Sequence, residues 1–184
     1  SYKIEQETVC IKTLPDSFNG FRIVQLTDLH LGSYGKHYPG ITKLVDEVNR
    51  LNPDLIVFTG DMVNSFASEM DPWIETLKKL KAKYGKYATT GNHDYGTYVK
   101  WPTKTDQENN LKQFFKNMKQ ADFVMLNNTN VPLVIANDTL YLAGVENWGL
   151  PPFPSFGKLA QALEGTDGHP VILLSHDPSH WRHE

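Results

Sequence analysis

Residues 21–31 read Phe-Arg-Ile-Val-Gln-Leu-Thr-Asp-Leu-His-Leu, and this stretch decides the fold. Phe21 to Thr27 is rich in apolar and β-branched residues, which predicts a strand, and the polar pair Asp28 and His30 stands where that strand stops. The arrangement recurs three times. Residues 55–59 form an unbroken apolar run suited to a strand buried on both faces, and Gly60-Asp61 follows it. Residues 86–90 lead into Gly91-Asn92-His93-Asp94, and the apolar run 171–174 leads into Ser175-His176. Helix-period segments separate these strands. Ile41, Leu44, Val45, Val48 and Leu51 share one face, and Asn52-Pro53 ends that helix. Asp71 and Pro72 look like an N-cap and first helical position ahead of Trp73, Leu77 and Leu80, with Gly85 at the C-terminal cap. Thr105 and Glu108 form an expected capping box before Leu111, Phe114, Phe115 and Met118. Strands alternating with helices define an α/β chain, a sheet covered by helices.

Further strands are predicted at residues 8–14, 123–126, 131–136 and 139–145, and a short helix at 155–163. Asn-rich turns separate the three strands from 123 to 145, which predicts antiparallel neighbours. No linker divides the chain, so residues 1–184 are expected to form one domain. Ser1 stands where a start Met would be, and no terminator signal precedes Glu184, so a piece of a longer protein is expected.

Composition narrows the function classes. The chain is 40% hydrophobic, with 18 basic against 21 acidic residues and a net charge of −3. That balance supplies no global attraction to nucleic acid or anionic lipid, so a phosphate-bearing substrate needs local cations or metals. A single cysteine, Cys10, excludes an intrachain disulfide framework and a multi-cysteine zinc site. The longest apolar runs fall far short of the roughly 20 residues that span a bilayer, so the chain as given reads as soluble. Lys78, Lys79, Lys81, Lys83 and Lys86 read as a solvated helix face and not as a nucleic-acid patch.

The pattern-breaking polar residues all follow strands, where open α/β sheets put their ligand sites. Asp28 and His30 are one residue apart, so an extended backbone would point both to one side. Together the four strand ends offer carboxylate, imidazole and amide oxygen donors without thiolate, a set suited to Mn, Fe, Zn or Mg. Asp28-Leu29-His30, Gly60-Asp61, Gly91-Asn92-His93-Asp94 and Ser175-His176 together resemble the motifs of the calcineurin-like metallophosphoesterase superfamily, over nearly the whole chain from about residue 20 onward. The wording around residues 26–32 resembles a bacterial branch often tethered by an N-terminal membrane segment, so a membrane-associated parent is expected.

The resemblance implies a two-sheet β-sandwich flanked by helices and a centre of two divalent ions. Asp28 and His30 would hold the first ion, Asp61 would bridge both, and Asn92 and His176 would hold the second. His93 would be the non-ligand catalyst, with Asp94 orienting its ring, and a metal-bridging hydroxide would hydrolyse a phosphomonoester or phosphodiester. The family's closing Gly-His-x-His segment is absent after His176, so the fold is expected to be C-terminally incomplete and metal binding weaker. His180 and His183 read as the start of a surface helix. A non-catalytic metal-binding or scaffold protein on the same fold, or an inactive fragment, is the competing class. A nuclease is a third, which the charge balance disfavours. Loops 31–40 and 95–104 follow ligand motifs and are candidates to shape the pocket. Residues 148–156, rich in proline and aromatics, are expected to form a rigid rim, an apolar contact or core cover.

Overall fold

The computed structural model describes residues 3–183; Ser1, Tyr2 and Glu184 of the expected domain lie outside it. Four parallel strands make the first sheet, in the order β1 (Ile23–Leu26), β2 (Leu55–Thr59), β3 (Lys86–Thr89) and β4 (Val124–Met125). The second sheet holds β5 (Thr129–Ile135), β6 (Asp138–Gly144) and β7 (Val171–Leu174), with β5 antiparallel and β7 parallel to β6. The helices are α1 (Gly40–Arg50), α2 (Ile74–Leu77), α3 (Lys104–Gln120) and α4 (Leu159–Ala162).

The all-buried strand β2 explains the layering. Its side chains alternate between faces. Ile56 and Phe58 join Ile41, Leu44, Val45 and Val48 of α1, Leu77 of α2, and Phe114 and Met118 of α3 in one core. Leu55 and Val57 point the other way, into a second core with Leu133, Leu140, Leu142 and Leu174 of the other sheet. The architecture is thus an α/β sandwich of two sheets with helices packed on the outer face of the first.

Several sequence-based boundaries are corrected. Residues 8–14 make no strand: Val9 and Ile11 are exposed, so their alternation finds no sheet edge to join. Only β5 and β6 form the expected antiparallel pair. The segment at 124–125 instead pairs in parallel with β3, and the Leu126 N–H donates to the Ala88 carbonyl at 2.7 Å. The Asn-rich turn beyond it carries the chain from one sheet to the other, helped by Asn128 in the left-handed region at φ 56°. The α3 capping box falls two residues early, at Thr103 and Asp106, whose side chains each accept the other's backbone N–H at 3.1 Å. The helix expected after Asp71 is only the single turn α2, although Trp73, Leu77 and Leu80 are buried as expected.

Lys86 does not belong to the solvated lysine face. It is 6% exposed on β3, and its ammonium donates to the carbonyls of Leu77, Lys78 and Ala121 at 3.2, 3.3 and 2.7 Å, where α2 and α3 end. Burial pulls its pKa down to about 8 against the opposing pull of Asp122. The unfolded chain therefore holds this proton longer, and folding stability gains from it as pH climbs from about 8 towards the free lysine value near 10.5. Lys86→Met is expected to lose that gain in denaturant unfolding at about pH 7 and about pH 10. Equal pH responses of the two proteins would contradict it.

Candidate metal centre

Beyond β1 the chain continues its pairing with the loop after β2. The N–H groups of Asp28, His30 and Leu31 donate to the carbonyls of Gly60, Asp61 and Met62 at 3.0, 3.1 and 3.0 Å. The backbone between Asp28 and His30 is not extended as expected: both sit in the left-handed region, at φ 53° and 45°. That local coiling still sends Leu29 and Leu31 into the core and leaves the two polar side chains together. His30 Nε2 lies 3.7 Å from Asp28 Oδ1 and 3.6 Å from Asp61 Oδ2.

Gly60, at φ 99°, meets Gly91 so closely that a Cβ on Gly60 would fall 2.4 Å from the Gly91 nitrogen. A Cβ on Gly91 would fall 2.2 Å from Asp61 Oδ1. The two glycines let the loops after β2 and β3 touch. Asp94, 0% exposed, ties those loops together. Its carboxylate accepts the N–H groups of Asp61 at 2.9 Å, Met62 at 2.9 Å, Val63 at 3.3 Å and Gly91 at 2.9 Å. Burial and the neighbouring Asp61 charge push its pKa up to about 7, against the backbone donors that favour its ionised form. This corrects the expectation that Asp94 orients the His93 ring. That ring gives its Nδ1–H to the Asn64 carbonyl at 2.8 Å, and the His93 backbone N–H donates to Asp61 Oδ1 at 2.9 Å.

His176, two residues beyond β7, completes the cluster. Its Nδ1–H donates to the Thr59 carbonyl at 2.8 Å, which turns Nε2 towards Asn92 Oδ1 at 3.1 Å and Asp61 Oδ2 at 3.4 Å. Both of those oxygens are acceptors, so the ring nitrogen needs a proton or a cation between them. Burial works against a charged ring. The hydrogen bond and charge of Asp61, with Thr59 and Asp28 behind, nonetheless carry the His176 pKa up to about 9. Asp61 is buried, which alone would raise its pKa, yet His176 and His93 bring it below the ordinary carboxylate value.

Donor atoms converge in two groups, Asp28 with Asp61 and His176, and His30 with Asp61 and His93, each within 4.8 Å. Asp61 is common to both. Hard carboxylate and amide oxygens beside imidazoles, each of the His93 and His176 rings fixed at Nδ1 by a carbonyl, are the chemistry that a divalent transition ion or Mg takes. The donor set fits the cations that the motifs imply. The Thr59 and Asn64 carbonyls were beyond sequence reasoning, since a backbone oxygen leaves no residue-type signal. His180 and His183 stand apart from both groups, stacked on Trp148 with ring centroids 5.1 and 5.3 Å away. His180 is 2% exposed in a single 3-10 turn, so the expected surface helix is corrected there. Of the pocket loops, Tyr98 packs on His93 at 4.5 Å, while Tyr34 and Tyr38 stack on each other at 4.8 Å. In the 148–156 segment Phe156 packs on Tyr95 at 4.7 Å, and Leu150 and Phe153 are exposed.

A model of calcineurin-like phosphoesterases matches residues 21–184. The chain belongs to that family. A transmembrane protein with metallophosphoesterase domain from Danio rerio is 31% identical over 185 residues, covering 96% of the chain and 39% of that protein. The Chlamydia trachomatis UDP-2,3-diacylglucosamine pyrophosphatase is 40% identical over 90 residues, covering 47% of the chain and 27% of that enzyme. The chain thus spans about two fifths or less of the length of these curated relatives. NAD nucleotidase of Haemophilus influenzae shares the fold with a TM-score of 0.55 at 14% identity, over 88% of the chain and 35% of that structure. The family is that of metallophosphoesterases, which implies divalent metals. Among the described residues no helix is long and apolar enough to cross a membrane.

Proposed function

We propose that this chain carries the metal-binding catalytic site of a phosphohydrolase acting on a phosphomonoester or phosphodiester. The observation that supports this best is the membership of Asp61 in both donor groups. In this reading Asp28 and His30 would hold one cation and Asn92 and His176 the other, with Asp61 shared; the two donor groups support that sharing, while they pair Asp28 with His176 and His30 with His93. Bound there, two divalent cations would polarise the phosphoryl oxygens and acidify a water for in-line attack. His93 is kept off the metals as the acid–base and charge-stabilising residue. The Asn64 carbonyl ties down its Nδ1, so Nε2 is the atom that meets the substrate and hands a proton to the leaving oxygen. Asp94 holds the backbone of residues 61–63 and 91 in place and so acts through the ligands.

We propose further that the whole protein is attached to a membrane outside these residues. The support is the pair of relatives, from Danio rerio and Bos taurus, named as transmembrane proteins and matched over 96% and 92% of the chain.

Metal removal tests the enzymatic reading. The whole protein, purified, is expected to hydrolyse p-nitrophenyl phosphate or bis(p-nitrophenyl) phosphate, to lose that activity after dialysis against a chelator, and to regain it with manganese(II). The monoester-to-diester ratio assigns the substrate class. Hydrolysis untouched by chelation, or no hydrolysis of either ester with manganese, iron, zinc or magnesium, would overturn it.

A further inference from the structure

An asparagine that ligates a cation has a problem an aspartate lacks: its amide presents one oxygen and one NH2 group of nearly the same shape, and only the oxygen can bind. Something must fix which end faces the site. In this protein the Asn92 Nδ2 group donates to the Tyr98 hydroxyl at 2.6 Å, which leaves Oδ1 on the His176 side at 3.1 Å. Tyr98 is itself held in place. Gly96 turns the chain at φ 63°, its carbonyl accepts the Trp101 Nε1–H at 2.6 Å, and the Tyr95 carbonyl accepts Gln107 Nε2 at 3.1 Å. One face of the Tyr98 ring rests on His93, with centroids 4.5 Å apart and planes at 36°. At 48% exposed, Tyr98 adds little to any core, so its contacts with Asn92 and His93 are what its position serves.

We propose that Tyr98 is a positioning residue that holds the Asn92 amide with its oxygen toward the metal centre. The inference rests on Asn92 being a metal ligand, as proposed above. It separates Tyr98 from an aromatic that merely walls the pocket, because only the hydroxyl, not the ring, orients the amide.

Manganese(II) titration of the full chain, read by the electron paramagnetic resonance of the free ion, tests this without reference to activity. Tyr98→Phe keeps the ring on His93 and removes the acceptor. It is expected to weaken one of the two manganese sites by roughly 10- to 100-fold, the usual effect of losing a ligand's outer partner. Asn92→Asp replaces the amide with two equivalent oxygens that need no orienting. In that background Tyr98→Phe is expected to change manganese affinity by less than about twofold. Wild-type affinity in Tyr98→Phe, or the same loss in both backgrounds, would overturn the positioning role. If Asn92→Ala leaves manganese binding unchanged, the ligand assignment itself fails and the proposal falls with it.

Discussion

Asp61→Asn is expected to lower metal-dependent hydrolysis of an aryl phosphodiester by at least about a thousandfold, roughly 4 kcal/mol of transition-state stabilisation. The carboxylate belongs to both donor groups, so no other single side chain touches as much of the centre. The amide keeps one oxygen to accept the His93 N–H, as Asp61 Oδ1 now does at 2.9 Å. It removes the negative charge that faces the Nε2 atoms of His30 and His176 at 3.6 and 3.4 Å. Metal content per chain is expected to fall with activity, while the chelated variant stays folded and loses on the order of 2 kcal/mol, because His176 loses the carboxylate that holds its proton. Full metal content with normal turnover would show that Asp61 bridges nothing. Loss of fold in the chelated variant would assign Asp61 to structure and not to the centre.

The second large effect concerns stability. Asp94→Ala removes the acceptor of four backbone N–H groups, those of Asp61, Met62, Val63 and Gly91, in a fully buried position. Each donor left without a partner costs about 1–3 kcal/mol, so a total of at least about 4 kcal/mol is expected in denaturant unfolding of the chelated protein. Asp94→Asn retains one carbonyl oxygen and most of the shape, and is expected to lose roughly half as much. Metal binding falls in both, because the backbone that carries Asp61 loosens. An Asp94→Ala midpoint equal to that of wild type would contradict the carboxylate's place in the fold.

Asp94 also shows where sequence reading stops. The resemblance implies a carboxylate beside the His93 ring, but in the 3-10 turn at His93–Tyr95 neighbouring side chains diverge, and Asp94 turns inward to the loop after β2. The candidate donors after β1, β2 and β3 were legible because each follows an apolar or β-rich run and parallel neighbours bring such ends together, whereas His176 arrives from β7 of the second sheet. The first sheet's central strand was legible for the same reason: a run of five buried residues has few alternatives. The place of β4 was not, because which sheet a two-residue strand joins depends on contacts distant in sequence, here Tyr87 with Val124 and Ala88 with Met125. Lys86 misled for a related reason. Charge patterning places a lysine by its neighbours in sequence, whereas the carbonyls that receive it lie at the ends of two helices. The groups that hold the imidazoles, Thr59 and Asn64 carbonyls, belong to the backbone and carry no mark in the residue string.

A crystal of the protein grown with manganese(II) and measured for anomalous scattering tests the central claim most directly. Two peaks roughly 3.5–4 Å apart, with the Asp61 carboxylate between them, Asp28 and His30 on one, and Asn92 and His176 on the other, are the expected result. One peak, or two that do not share Asp61, would contradict the binuclear centre.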